Sequence, residues 1–412
     1  MRIAMVSEHA DPTATLGGED SGGQNVHVAA LASGLARRGH SVIIYTRLAD
    51  PGAARTVELR PGVTVRRLPA GPAASLPKDE LLPHMLELGD RLRDEWLQCR
   101  PDLVHAHFWM SGLAALRARA GLGIPVATTF HALGVVKARH QGAKDTSPAK
   151  RIEAERQVAL ACDQVIATCC DEVRELAGLG IPSALVSVVP CGVDTAMFRP
   201  GCGNGERAGR PRLLTLGRLV ERKGTDTAIA AIPFLPGAEL VIAGGPDSLE
   251  LDSHPEVRRL RSLADACGVS DRVTFTGSVA RKRVPALVRS ADVVVCTPWY
   301  EPFGIVPLEA MACGVPVIAS RVGGLTDTVV DGSTGLLVPP RDLRALADAC
   351  RKLLGDRELR ASYGLAGARR ARRWYSWDRV ARETEAVYRR LDHGAQLPSP
   401  AGVDLSITAG AI

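Results

Sequence analysis

The strongest constraint on this chain is a rhythm. Short apolar runs rich in β-branched residues alternate with helical segments; the pattern stops once and then resumes. In the first half the runs are Arg2–Val6, Ser41–Thr46, Val63–Leu68, Leu103–His107, Val126–Phe130 and Gln164–Thr168. A loop of small residues, 16–23, follows the first run and feeds a helical pattern over Asn25–Arg38 that Gly39 stops. A further helix is expected over Leu81–Cys99. Apolar strands separated by helices imply a parallel sheet covered on both faces.

Around 193–209 the rhythm breaks into glycine, proline and polar residues with no apolar period, which reads as a linker. It restarts with strands at Leu213–Leu216, Ala238–Ala243, Val273–Phe275, Val293–Cys296 and Pro316–Ala319. Helices are expected at Thr225–Ala231, Pro255–Cys267, Val284–Arg289, Val306–Cys313, Asp342–Leu354 and Trp377–Leu391. The expectation is an α/β chain of two doubly wound, Rossmann-like domains. They span 1–196 and 211–372, with a linker at 197–210, a terminal helix at 373–392 and a disordered tail at 393–412. Ligands of such folds bind at the carboxyl ends of the strands, so a cleft between the domains is the expected site.

Composition narrows the partners. The chain has 412 residues, enough for two or three domains at about 150 each. With 51 Lys+Arg against 45 Asp+Glu, it lacks the dense positive footprint of a nucleic-acid binder, and 4% aromatics leave little for base stacking. The apolar stretch after Met1 ends at Glu8, too short for a secretory leader, and no window is long and apolar enough to span a membrane. A cytoplasmic protein is expected. The ten cysteines form no CxxC pair and read as reduced, buried small hydrophobes.

Glycine pairs follow strands at Gly22-Gly23, Gly244-Gly245 and Gly323-Gly324. Each is either a tight turn or a place where backbone N–H groups approach an anion, and none completes a dinucleotide or phosphate-loop fingerprint. The run 217–224, GRLVERKG, follows the second domain's first strand, so Arg218 and Lys223 are placed to converge on a diphosphate. A solvated basic loop is the plainer reading. Most specific is Glu301-Pro302-Phe303-Gly304-Ile305-Val306-Pro307-Leu308-Glu309. Pro307 suits a first helical turn, and the N–H groups of Phe303, Gly304 and Ile305 would face an anion or sugar at the positive helix end. His105 and His107 alternate on a strand, but two ligands do not make a metal site.

These motifs carry a resemblance. The E-x7-E spacing of Glu301 and Glu309, the GRLVERKG run, the GGQNVH loop at 22–27 and the run Val329–Val338 resemble retaining glycosyltransferases of the GT-B architecture, family GT4. The likeness covers about residues 1–392, with the motifs in order. It implies a nucleotide-sugar donor, most commonly a UDP-sugar in this group, and no required metal or other cofactor. The implied donor-binding set is Gly22, Gly23, Arg218, Lys223, Glu301, Phe303, Gly304, Ile305 and Glu309. Gly23 would meet the phosphate, Arg218 and Lys223 the diphosphate, Glu301 the transferred sugar and Glu309 the ribose. His131, Arg218, Lys223 and Glu301 are the implied catalytic residues, with His131 lying against the sugar. The base pocket is expected near Gly277–Arg281.

Within the family, the chain is similar to the subgroup of sucrose-phosphate synthases and mycothiol-pathway inositol-phosphate transferases. That likeness assigns Asn25, Lys78 and Arg151 to an acceptor phosphate. Phe108 and Ala132 stand where the inositol enzymes carry hydroxyl-bearing Tyr and Thr. Losing such donors removes about 0.5–1.5 kcal/mol of binding each, which points to a different polar acceptor. The acceptor class is thus a sugar, a cyclitol, a phosphate of either, or a specialised metabolite. Three rival readings remain. The arginines flanking Trp374, Tyr375 and Trp377 suit weak contact with an anionic membrane and a lipid acceptor, although interspersed acids dilute the charge. A sugar-nucleotide epimerase would share the architecture but need no acceptor. A non-catalytic nucleotide-sugar binder would not require every one of these residues.

Overall fold

The computed structural model describes residues 1–13, 22–201 and 209–392. The centre of the first glycine-rich loop, most of the expected linker and the expected tail lie outside the described residues. The chain divides into two compact units. One runs from Met1 to Pro190 and is completed by the helix Trp377–Asp392; the other runs from Cys191 to Ser376.

In the first unit, β1 (Arg2–Val6), β2 (Ser41–Arg47), β3 (Thr56–Arg60), β4 (Val63–Leu68), β5 (Leu103–His107), β6 (Val126–Thr129), β7 (Gln164–Ala167) and β8 (Val186–Val188) form one sheet. The order is β3-β4-β2-β1-β5-β6-β7-β8. Every pairing is parallel except β3 with β4. The middle strands β1, β5 and β6 are buried along nearly their whole length, as continuous apolar runs require. The helix Gly23–Arg37 packs against Trp377–Asp392. The two approach so closely at Gly34 that a Cβ there would sit 2.7 Å from that of Ala381. A knot of charge fixes the same contact: Glu385 accepts from Arg38 and Arg389 (2.6 Å), and His40 Nε2 lies 3.2 Å from it. Burial opposes its ionisation, but those three partners outweigh burial and hold the carboxyl at about 2.

In the second unit, β9 (Arg212–Leu216), β10 (Glu239–Ala243), β11 (Val273–Gly277), β12 (Val293–Cys296), β13 (Val317–Ser320) and β14 (Gly335–Val338) pair in parallel in the order β11-β10-β9-β12-β13-β14. Consecutive strand residues point to opposite faces, and each face has its own core. Leu213, Leu240, Val293 and Ile318 join one, and Leu214, Val241, Val294 and Val317 the other. The α/β class and the two largely parallel sheets follow the rhythm of the sequence.

Several elements depart from the expectation in detail. The segment expected as one helix over Leu81–Cys99 opens with two 3-10 turns and becomes α-helical only at Met85, after Pro83. The helix Trp109–Arg119 was not legible because nearly all of it is buried, so it carries no amphipathic stripe. Strand β3 is a polar edge with alternating exposure, and Arg151–Ala161 hides charged residues among its buried positions. Among the cysteines, Cys99 and Cys170 are exposed rather than buried, and every described cysteine is a free thiol.

Candidate active site

The second unit gathers its candidate residues at the carboxyl ends of β9 and β12. The loop after β9 carries Arg218 and a 3-10 turn, Glu221–Lys223; Gly224 ends that turn with φ +66. A Cβ at Gly224 would lie 1.9 Å from the Thr297 carbonyl oxygen, so only glycine lets this loop press on the one after β12. Thr297 Oγ1 donates to Gly224 O (2.8 Å), and Trp299 N donates to Arg222 O (2.8 Å). Gly244 and Gly323 likewise face neighbouring carbonyls, which supplies a packing reason for those two pairs.

This interlock brings Lys223 Nζ onto the Glu301 carboxylate as an ion pair. Burial alone would raise the Glu301 carboxyl, but Lys223, Arg222 and the backbone at Phe303 hold it below its ordinary range. Burial pulls the Lys223 ammonium down, against the attraction of Glu301. Arg218 is half-buried beside them and lowers Lys223 slightly further. The helix Ile305–Ala312 begins after Gly304, with Phe303 and Ile305 half-buried on either side. Glu309 lies one turn into that helix, 2% exposed, and Arg281 Nη1 reaches its Oε1 at 2.5 Å. Burial pushes the Glu309 carboxyl up, and Arg281 only partly offsets this. The Arg281 guanidinium also sits 4.6 Å above the Phe198 ring. The Cys296 thiol reports how close these groups are: burial pushes it up to about 12, Lys223 lowers it, and Glu301 and Glu309 raise it. The partnership of Arg281 with Glu309 was not legible in the sequence, which placed Arg281 only at the end of an expected base pocket.

The first unit holds the remaining candidates. Gly22 is extended, and Gly23 starts the helix Gly23–Arg37. Among the described residues, a Cβ at Gly22 would meet nothing within 4 Å. Asn25 Oδ1 accepts from Gly22 N (3.0 Å), while its Nδ2 donates to Asp11 O (2.9 Å), tying the two ends of the glycine-rich loop together. Lys78 is half-buried at the start of a 3-10 turn. Its neighbour Asp79 accepts from Thr146 (2.6 Å) and Lys137 (3.4 Å). Arg151 is almost fully buried and well supplied with partners. Its Nε pairs with Glu155 (2.8 Å), Nη1 donates to Ser147 (3.1 Å), Nη2 donates to Ala132 O (2.7 Å), and the guanidinium lies 5.2 Å from the Phe108 ring centroid.

His131 follows β6 with φ +63, and Phe108 follows the neighbouring β5 with φ +87. Non-glycine residues in this region store backbone strain and cluster at functional sites. His131 does not stand alone. His27, His105 and His107 pack around it, all buried, and burial keeps all four rings neutral, pushing His27 down to about 4 and His105 to about 3. His105 and His107, which resembled a metal pair in the sequence, share one face of β5 with ring centroids 4.0 Å apart. No group of three or more His, Cys, Asp or Glu is arranged to hold a metal among the described residues. No described helix is long and apolar enough to cross a membrane. Within the arginine-rich end, Arg370 donates to the carbonyls of Asp327 and Thr328, and Arg379 pairs with Glu383.

Comparison with known proteins gives a consistent picture. A model described as Glycosyltransferase Family 4 matches residues 21–197, and one described as Glycosyl transferases group 1 matches residues 203–370. The chain is 38% identical to a D-inositol 3-phosphate glycosyltransferase of Acidothermus cellulolyticus, over 94% of this chain and 90% of that protein. It is 36% identical to the Mycolicibacterium smegmatis protein of the same description, over 97% and 94%. Among solved structures, a sucrose-phosphate synthase from Thermosynechococcus elongatus superposes with a TM-score of 0.88 and 34% identity, covering 95% of this chain and 98% of that one.

Proposed function

The chain belongs to the family 4 glycosyltransferases, with the GT-B fold, and from that premise we propose its substrates and the roles of its residues. The donor is a nucleoside diphosphate hexose, with UDP-glucose or UDP-N-acetylglucosamine first in line. The acceptor is a small phosphorylated sugar or cyclitol, the class that the names of these relatives share. The observation that carries the reading is the ion pair of Lys223 with Glu301 after β12, followed by the buried, Arg281-paired Glu309 in the next helix.

In this reading, Lys223 leaves Glu301 for the diphosphate, and the carboxylate it releases accepts hydroxyls of the transferred sugar. Arg218 adds a second cation, the N–H groups of Phe303, Gly304 and Ile305 add donors, and Glu309 accepts the ribose hydroxyls. Gly22 and Gly23, at the start of the helix Gly23–Arg37, offer backbone N–H groups to phosphate. As the anomeric carbon–oxygen bond breaks, negative charge grows on the diphosphate. Fixed cations and N–H donors stabilise that charge more than the ground state. The acceptor hydroxyl forms the new bond on the same face and passes its proton to the departing phosphate oxygen, so configuration is retained. His131 lies against the sugar.

On the acceptor side, Asn25, Lys78 and Arg151 remain the proposed phosphate contacts. Arg151 already carries Glu155 as a partner, so it would supply Nη hydrogens rather than a whole charge. Phe108 and Ala132 offer no hydroxyl, which favours an acceptor other than inositol 3-phosphate itself.

A donor-by-acceptor screen tests this reading. UDP, GDP and ADP sugars are paired with sugar and cyclitol phosphates, and nucleotide release is measured together with product mass. Release that requires an acceptor supports transfer; conversion of the donor alone supports the epimerase reading. A product of inverted configuration refutes the same-face mechanism.

A further inference from the structure

In the second unit, the loops after β9 and β12 run side by side, with Arg222 against Tyr300 and Lys223 against Glu301. The backbone fixes this register: Trp299 N donates to Arg222 O (2.8 Å), and Thr297 Oγ1 donates to Gly224 O (2.8 Å). Lys223 takes the Glu301 carboxylate. Arg222 instead lays its guanidinium over the Tyr300 ring, 5.2 Å from the centroid, and its Nη1 is buried with no hydrogen-bond partner among the described residues. A buried donor on a charged group costs free energy when it has no acceptor, and an aromatic face does not supply one. Arg222 therefore holds a donor in reserve one residue from the ion pair. It also bears on both members of that pair. Burial raises the Glu301 carboxyl, Lys223 lowers it most among the charges and Arg222 lowers it next. Burial lowers the Lys223 ammonium, Glu301 restores it, and Arg222 lowers it further. Two cations thus face one carboxylate, and only Lys223 is paired with it.

This surplus answers a problem that donor binding creates. When Lys223 turns to the diphosphate, a carboxylate with only 14% of its side chain exposed loses its partner. It then needs another cation, or it takes a proton, or it pulls Lys223 back. We propose that Arg222 is a positioning residue that takes over Glu301 through Nη1 as Lys223 moves to the diphosphate, so that the carboxylate stays charged and placed for the sugar hydroxyls. The inference rests on the reading of Lys223 and Glu301 as donor-binding residues. In this arrangement Arg222 does not touch the diphosphate; it acts on donor binding only through Glu301.

The test is a double-mutant cycle read on binding. UDP, GDP and ADP are titrated calorimetrically into the wild-type protein, and the tightest of the three is carried through the cycle. Arg222→Gln removes the reserve cation, and Glu301→Gln removes the charge it serves. R222Q should raise the Kd by roughly 10-fold or more, because Lys223 then stays with Glu301. In the E301Q background Lys223 has no carboxylate to abandon, and the same change should move the Kd by less than about twofold. Arg222→Lys keeps a cation and should recover most of the loss. Arg222→Met keeps an apolar stem over Tyr300 without the charge; it should match R222Q and stands in for it if R222Q does not fold. Equal weakening with and without Glu301 overturns the proposal, since Arg222 would then contact the diphosphate itself or merely pack on Tyr300. A wild-type Kd in R222Q and R222M overturns it as well. Lys223→Met keeps the two readings apart. If K223M binds as tightly as wild type, the assignment of Lys223 to the diphosphate fails and the role of Arg222 falls with it. If K223M binds weakly while R222Q does not, only the role of Arg222 fails.

Discussion

Arg281→Gln is the most informative single change, because it acts on stability and on donor binding with opposite dependence on pH. Glu309 is 2% exposed, and Arg281 approaches it at 2.5 Å. Burial pushes the carboxyl up and Arg281 restrains the rise, so glutamine at 281 lets it go higher. A hydrogen bond to a charged group contributes about 1.5–3 kcal/mol. At about 1.4 kcal/mol per tenfold, donor KM should rise by roughly 10- to 150-fold at neutral pH. Turnover should stay within about threefold, because Glu309 is assigned to the ribose and not to the breaking bond. A carboxyl raised on folding destabilises the folded state only once the unfolded state would ionise it. Between the ordinary value of 4.5 and the wild-type folded value the two proteins carry the same penalty, so the stability deficit of R281Q grows only above the wild-type folded value, as pH rises toward its own higher one. Donor binding runs the other way, because a carboxylate accepts ribose hydroxyls better than a carboxylic acid does. The donor KM of R281Q should thus fall as pH rises. Nucleotide-release kinetics and thermal melts followed upward from the ordinary value of 4.5 measure both slopes. A wild-type donor KM in R281Q, or two slopes of the same sign, would refute the assignment of Glu309 and Arg281.

Lys223→Met should cut kcat/KM by about 10²- to 10³-fold in the protein that remains folded, and a loss below fivefold would remove Lys223 from the diphosphate site. Glu155→Ala strands the buried Arg151 guanidinium, which should cost about 3–5 kcal/mol and lower the melting temperature by about 10 °C; an unchanged melt would show that other partners hold Arg151. Gly224→Ala forces φ +66 on a residue with a Cβ and pushes that atom into Thr297 O, so it should destabilise by more than about 1 kcal/mol and displace Lys223, read as a loss of activity larger than the loss of fold. Glu385, held at about 2 against an ordinary 4.5, adds about 2 kcal/mol after screening of its exposed arginines; this is present above pH 4.5 and lost as pH falls toward 2. Glu385→Gln should abolish that acid dependence and speed hydrogen exchange across 377–392, and an unaltered acid profile would count against the knot.

The α/β class was readable because a two-faced parallel sheet leaves runs such as Val293–Cys296 almost wholly apolar. Lys223 and Glu301 were singled out by the two motifs that carry the family resemblance, and the structure pairs them. Arg281 was not, since its partner lies 28 positions away in sequence and no local pattern links a 3-10 turn to the second turn of another helix. The histidine set was half visible. His105 and His107 alternate on a strand and His131 ends the next one, so parallel pairing of β5 with β6 brings them together. Nothing local indicated that Tyr388, 283 positions beyond His105, would set its hydroxyl 2.6 Å from His105 Nδ1. Helix Trp109–Arg119 was missed for the opposite reason: burial of nearly all of it erased its period.

One consequence follows from the way the first unit is completed. Its helix Gly23–Arg37 is covered by Trp377–Asp392, and the whole second unit is encoded between them. During synthesis the first sheet therefore emerges early but waits, with that helix face bare and His105 lacking Tyr388, until Trp377–Asp392 has left the ribosome. The second unit faces no such delay. A chain stopped before Trp377 would present an unfinished apolar surface to chaperones and proteases. A covalent shortcut from Pro190 to Trp377, omitting the second unit, would give the first unit all of its own parts in one uninterrupted piece.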